Sequence, residues 1–281
     1  MAVIPSWSWL VTRWSLEPSI ILGLIAVSAA YLYLCGHLPR RGDARSVAAR
    51  PTRAQLALFW TSQAVLAICL MSPLDAVSDT YLFSAHMIQH LVLASVWPAL
   101  LLLSIPEGAM RGLYSRPRVA QVVTWVTFPP AALLIFNTDL SIWHIPSWYD
   151  LTLTDENVHI VEHLTFMAAG ILVWWPVLNP VRRLRLSYAL QELYLFANLF
   201  PMMALGIFYS FWQHPLYAPY IAAPRLWGIS ALTDQKIGGL IMWMPGDIPF
   251  ALAMLIIGMR WLEYGDPSER VTAAPAVEAL P

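Results

Sequence analysis

Seven apolar runs, each close to the length that crosses a bilayer, leave this chain few folds to choose from. They occupy residues 19–36, 54–71, 81–104, 119–136, 158–178, 188–212 and 237–262. About 20 helical residues cross ~30 Å of hydrocarbon, and a span must satisfy its own backbone hydrogen bonds. With 58% hydrophobic and 12% charged residues over 281 positions, a soluble globular domain is excluded. A net charge of −1 says nothing by itself about partners, and no nucleic-acid partner is expected. The expectation is an all-α, polytopic membrane protein: a seven-transmembrane-helix bundle over residues 1–264, then a short disordered cytoplasmic tail over 265–281. Pro129 and Pro130 make the fourth span the least regular.

Arginine placement orients the bundle, because positive residues collect on the cytoplasmic side. Arg40, Arg41, Arg45, Arg50 and Arg53 follow the first span; Arg111, Arg116 and Arg118 follow the third; Arg182, Arg183 and Arg185 follow the fifth. Loops after the second and fourth spans carry no Arg or Lys, and instead hold Asp75, Asp79, Asp139, Asp150, Asp155 and Glu156. That alternation predicts an outside N-terminus and a cytoplasmic C-terminus, with the first span acting as insertion signal and Arg225 and Lys236 as outer-side exceptions. The acidic outer connections would attract cations to the mouth of the bundle. Cys35 and Cys69 fall at opposite membrane faces, which predicts two buried free thiols.

Two histidine pairs stand out against this apolar background. His86 and His90, and again His159 and His163, are four residues apart, so each pair shares one helix face. An ionisable side chain within a span is costly and marks function by default. Counted inward from Asp79 and Glu156 at ~1.5 Å per residue, His86 and His163 reach a common depth of about 10 Å. Four imidazoles at one level predict a metal site made of His86, His90, His159 and His163. Soft thioethers (Met87, Met167, Met202, Met203, Met242 and Met244) would suit Cu(I), although membrane methionines are commonly packing.

Further polar residues surround that level. His159-Ile-Val-Glu162-His163 spells the H-x-x-E-H order of one zinc protease group, so Glu162 could ligate, take a proton or orient a histidine. Gln89 could hydrogen-bond between helices. On the seventh span Asp234 stands at the mouth as an entry gate, Met242 at histidine depth and Asp247 deeper still; Gly239 would allow close packing and Pro245 should kink the helix. Trp7, Trp9, Trp14, Trp143, Trp148, Trp174 and Trp175 read as aromatic-belt anchors.

Taken together, His86-Met-Ile-Gln-His90, His159-Ile-Val-Glu-His163-Leu-Thr-Phe166 with Trp174-Trp175-Pro176, Asp234-Gln235-Lys236-Ile-Gly238-Gly239 and Trp243-Met-Pro-Gly246 resemble the polytopic CtaG family of cytochrome c oxidase assembly factors. The likeness covers roughly residues 55–261 and is distinct from the single-span copper chaperone that has shared the name. It implies a bacterial inner-membrane protein that matures a caa-type respiratory oxidase by copper handling, with oxidase subunits or other copper chaperones as partners and no turnover of its own. Three rivals remain: a seven-helix intramembrane zinc hydrolase, a haem-binding protein with two axial histidines, and a scaffold that only clamps oxidase subunits.

Overall fold

Short polar or proline-bearing segments decide where each apolar run begins. The computed structural model describes residue 8, residues 11–37 and residues 50–265. Trp7, Trp9, Arg40, Arg41, Arg45 and the tail beyond Gly265 lie outside the described residues.

All regular structure among the described residues is helical. α1 is Pro18–His37 and α2 is Arg53–Met71, the latter started by a Thr52/Gln55 capping box. The short α3, Pro73–Thr80, uses Pro73 in its first turn. α4, Phe83–Leu91, continues through a π-helical turn at Val92–Val96 into α5, Trp97–Ser104. Pro98 has no N–H to offer the Ala94 carbonyl, and the Trp97 amide instead bonds five residues back to Val92.

α6, Glu107–Tyr114, leads to α7, Pro117–Val126, and α8, Pro129–Trp143. These last two are bent by 61° at the proline pair, the irregularity expected of the fourth span. The short α9, Pro146–Thr152, precedes α10, Glu156–Leu178, whose first turn is capped by the Asp155 carboxylate. α11 is Tyr188–Phe211, α12 is the short Ala218–Ala222, and α13, Ala231–Trp243, passes through a 3₁₀ turn at Pro245–Asp247 into α14, Ile248–Tyr264. Pro245 therefore divides the last span in two.

Six of these helical segments are long and apolar enough to cross a membrane, and the bent α7–α8 pair makes a seventh if it is one span. The chain is a multispanning membrane protein. α4, α8, α10, α11 and α13 enclose the core, whereas α1 lies outside it, held by Tyr31 stacked on Phe59 at 3.9 Å and donating to the Ser104 carbonyl.

Two close approaches fix the core helices. A Cβ on Gly239 would stand 2.7 Å from the Gly206 carbonyl and from Ser210, so α11 and α13 touch along their backbones, as the sequence suggested for Gly239. Gly170 of α10 faces the Ala94 carbonyl in the π turn, with Pro98 Cγ 2.7 Å from where a Cβ would sit. Trp174 closes the same seam by donating its indole N–H to the Ser95 carbonyl at 2.9 Å.

The tryptophans divide unevenly. Trp14 and Trp148 are exposed as belt residues should be, but Trp143, Trp174 and Trp175 are buried. Those three are corrected from anchors to core: each indole N–H finds an internal acceptor, on Asp139 and Thr165, on Ser95, and on Tyr114 respectively. Cys35 and Cys69 are buried free thiols.

Candidate functional site

Three short helices, one from each of three different connections, roof the end of the bundle where the histidine pairs lie. α3 brings Asp79, α9 brings Tyr149 and α12 brings Tyr220. Under them α4 presents His86 and His90, and α10 presents His159, Glu162 and His163.

The two pairs meet. Ring centroids are 5.3 Å apart for His86 and His159, 6.1 Å for His86 and His163, and 5.9 Å for His90 and His163. Glu162 lies between them, fully buried, with its oxygens 3.8 Å from His86 Nε2 and 3.5 Å from His90 Nε2. One donor atom from each of His86, His90, Glu162 and His163 falls in a set no more than 4.8 Å across. A second set of the same width joins Asp79, His86 and His159, with His159 Nδ1 3.9 Å from Asp79 Oδ2. Two ligands held ~2 Å from a tetrahedral ion are ~3.3 Å apart, so the Glu162 contacts need a contraction of at most about half an ångström to share one ion.

Hydrogen-bond accounting supports that fit. His86 Nε2, both nitrogens of His90, Nε2 of His159 and of His163, and both oxygens of Glu162 are buried with no hydrogen-bond partner. Buried polar atoms are nearly always satisfied, and seven orphans on five residues of these two ligand sets are an arrangement suited to an ion.

The surrounding tyrosines set which nitrogen of His86 is free. Tyr220 donates its hydroxyl to the Ser78 carbonyl at 2.6 Å and lies 3.0 Å from His86 Nδ1. With its own proton committed, the hydroxyl accepts from Nδ1–H, which leaves the lone pair on Nε2, the atom facing Glu162. A hydrogen bond to the far nitrogen is the usual way a ligating imidazole is oriented.

Other residues singled out from the sequence do different work. Asp234 spends its carboxylate on the start of α4, accepting from Phe83 N at 2.6 Å and Ser84 N at 3.1 Å and from the Ser84 hydroxyl. It thus acts as a remote cap that fixes the helix bearing His86. Gln89 donates to the Cys69 carbonyl at 3.1 Å and to Asp75 at 2.8 Å, tying α4 to α2 and α3. Asp247 sits at the break in the last span, outside both histidine sets, with one oxygen buried and unpartnered. Met242 is buried and faces a small cavity beside His90.

On the roof, Asp75 and Asp79 hold their protons unusually well. Burial, then the neighbouring Asp79, pushes Asp75 up to about 7 against the pull of the Gln89 amide. Burial pushes Asp79 up to about 7 as well, opposed by the Ser78 hydroxyl and aided by Glu17 and Glu162.

Sequence reasoning missed His144, Tyr220 and the ligand-like placement of Asp79. His144 ends α8 with Nδ1 2.7 Å from the Leu140 carbonyl and its ring 5.9 Å from His90. Its position at the same end of the fourth span as Asp139 was the available signal.

The family description "Cytochrome c oxidase caa3 assembly factor (Caa3_CtaG)" matches residues 29–264. The chain belongs to the Caa3_CtaG family. Its match takes in every histidine of the site, all three roof helices and the whole bundle from the latter part of α1 onward. Uncharacterized proteins of Mycobacterium bovis and of Mycobacterium tuberculosis are each 26% identical over 277 residues, covering 92% of this chain and 40% of their own length. One from Mycobacterium leprae is 24% identical over 198 residues, covering 64% of this chain and 30% of its own. The chain thus spans less than half the length of the curated relatives it matches. No solved structure matches it.

Proposed function

We propose that this Caa3_CtaG protein matures a caa-type cytochrome c oxidase by binding copper among His86, His90, His163 and Glu162 and passing it to an oxidase subunit, directly or through another copper chaperone. The carrying observation is the gathering of unpartnered imidazole nitrogens around one buried carboxylate. His159 and Asp79 extend the site toward the roof and give an incoming ion a first foothold.

Charge supports a site at the outer face of a bacterial inner membrane, with Arg225 and Lys236 as the basic exceptions on that side. Glu17, Asp75, Asp79 and Glu156 surround the histidine end, whereas Arg182, Arg185 and Arg260 lie together at another end of the chain's spans. By the positive-inside rule the arginines face the cytoplasm and the acidic roof faces out, with the C-terminus inside. Copper arriving from outside would meet the acidic roof first.

Elemental analysis of the purified protein tests the reading. Copper should be bound, and His86→Ala and His163→Ala should each remove one equivalent and leave the oxidase immature. Full copper retention in both variants would refute it. Zinc in place of copper, with hydrolysis lost on Glu162→Gln, would make the protein an enzyme, and a Soret band would make it a haem carrier.

A further inference from the structure

On the core side of the histidine cluster lies a small cavity. Its volume is about 10 Å³, room for one water-sized body. Met87, Met202 and Met242 line it together with His90 and His144, and the rest of the wall is aliphatic or Phe166. All five named residues are buried, with exposures of 4% or less.

Its chemistry differs from that of the outer cluster. Three of the six methionines noted in the sequence line this cavity, while Met167 packs against α2 and α5 and Met244 is exposed. His144 Nδ1 can only donate to the Leu140 carbonyl, so its lone pair sits on Nε2, which is buried and has no partner. No carboxylate lines the cavity; the negative group nearest to it through the cluster is Glu162, in contact with His90. A divalent ion would bring two charges into walls made of neutral donors, whereas a monovalent soft ion asks for far less compensation. Thioether and neutral imidazole are the donors such an ion prefers. The space also admits no hydration shell, so an entering ion must exchange water for these side chains.

We propose that this cavity is a second metal station, selective for Cu(I) without its water and held by the methionine thioethers with Nε2 of His144. His90, which lines the cavity and also contacts Glu162, is the residue shared between the two stations. As a relay the pair rests on the copper reading above; the cavity's own affinity for Cu(I) does not.

The test uses the purified full chain, titrated anaerobically with Cu(I) against a chromogenic chelator and then measured by copper X-ray absorption. Wild type should show sulfur in the copper coordination shell. Met202→Leu/Met242→Leu, which keeps apolar volume, should bind one equivalent fewer and lose the sulfur signal; Met242→Leu alone should weaken it with the least change in packing. His86→Ala should lose the other equivalent and keep the sulfur. Absence of sulfur in wild type, or its persistence in the double leucine variant, overturns the proposal and leaves the cavity to a water. If His86→Ala loses no copper while the double leucine variant loses its sulfur, the outer site fails and the inner one stands.

Discussion

Replacing Tyr220 with Phe removes one oxygen and bears directly on the histidine that this oxygen orients. The hydroxyl serves two groups, donating to the Ser78 carbonyl at 2.6 Å and receiving the Nδ1 proton of His86 at 3.0 Å. Both are left unsatisfied in a buried setting, and each such group costs about 1–3 kcal/mol. That loss appears first as stability, with a lower melting temperature for the metal-free protein. The metal-binding effect is separate: without an acceptor at Nδ1 the proton is free to occupy Nε2, the nitrogen facing Glu162. Returning it to Nδ1 for ligation then costs about one hydrogen bond, ~1–1.5 kcal/mol. At about 1.4 kcal/mol per factor of ten, Tyr220→Phe should weaken copper binding roughly tenfold, at the lower edge of what loss of an orienting partner usually costs. Competition titration with a chelator of known affinity measures it, and ¹⁵N shifts of the His86 ring report the tautomer. An affinity equal to wild type in a folded Tyr220→Phe protein would refute the assignment of Nε2 as the donor atom.

Removing the remote cap with Asp234→Ala should destabilise the start of α4 by about 0.5–2 kcal/mol, read as a lower melting temperature and faster amide exchange at Phe83 and Ser84, with Asp234→Asn recovering part of it. Gly170→Ala would drive a methyl into the Ala94 carbonyl and Pro98, and should cost about 1–3 kcal/mol, typical of overpacking, measured by thermal unfolding; wild-type stability would show that the seam is looser than described. The folded pKa of Asp75, at about 7, exceeds its unfolded value, so its contribution to stability is complete below the ordinary carboxylate range and is lost as pH rises through 7. The melting temperature should therefore drop by a few degrees between pH 5 and pH 8, and Asp75→Asn, which can still accept from Gln89, should flatten that slope.

Much of this arrangement was legible in the sequence because a membrane enforces it. Span length gave six of the helical segments and the proline pair gave the bend in the remaining one. Four-residue spacing put His86 with His90 and His159 with His163, and counting inward from acidic residues set both pairs at one level; that the two pairs face each other, with rings 5.3 and 5.9 Å apart, depends on helix rotation and packing that depth does not fix. What escaped has a common cause. Hydropathy says nothing about connections, so α3, α9 and α12 passed as loops although they carry Asp79, Tyr149 and Tyr220. Nor does a side chain's type reveal its partner: Asp234 looks like a charged gate until Phe83 and Ser84 are seen bonded to it. Trp174 looks like an interfacial anchor until its N–H meets the Ser95 carbonyl.

The widened turn at Val92–Val96 has a consequence for how this protein can vary. It holds one residue more than regular winding would, and each residue of an α-helix advances the chain by about 100° of rotation. Shortening this stretch by a single position would swing His86 and His90 a quarter turn or more away from α10, or else twist α5 off its neighbours. Exchange of side chains there is tolerable so long as the count is kept, and length is the quantity that this segment must conserve.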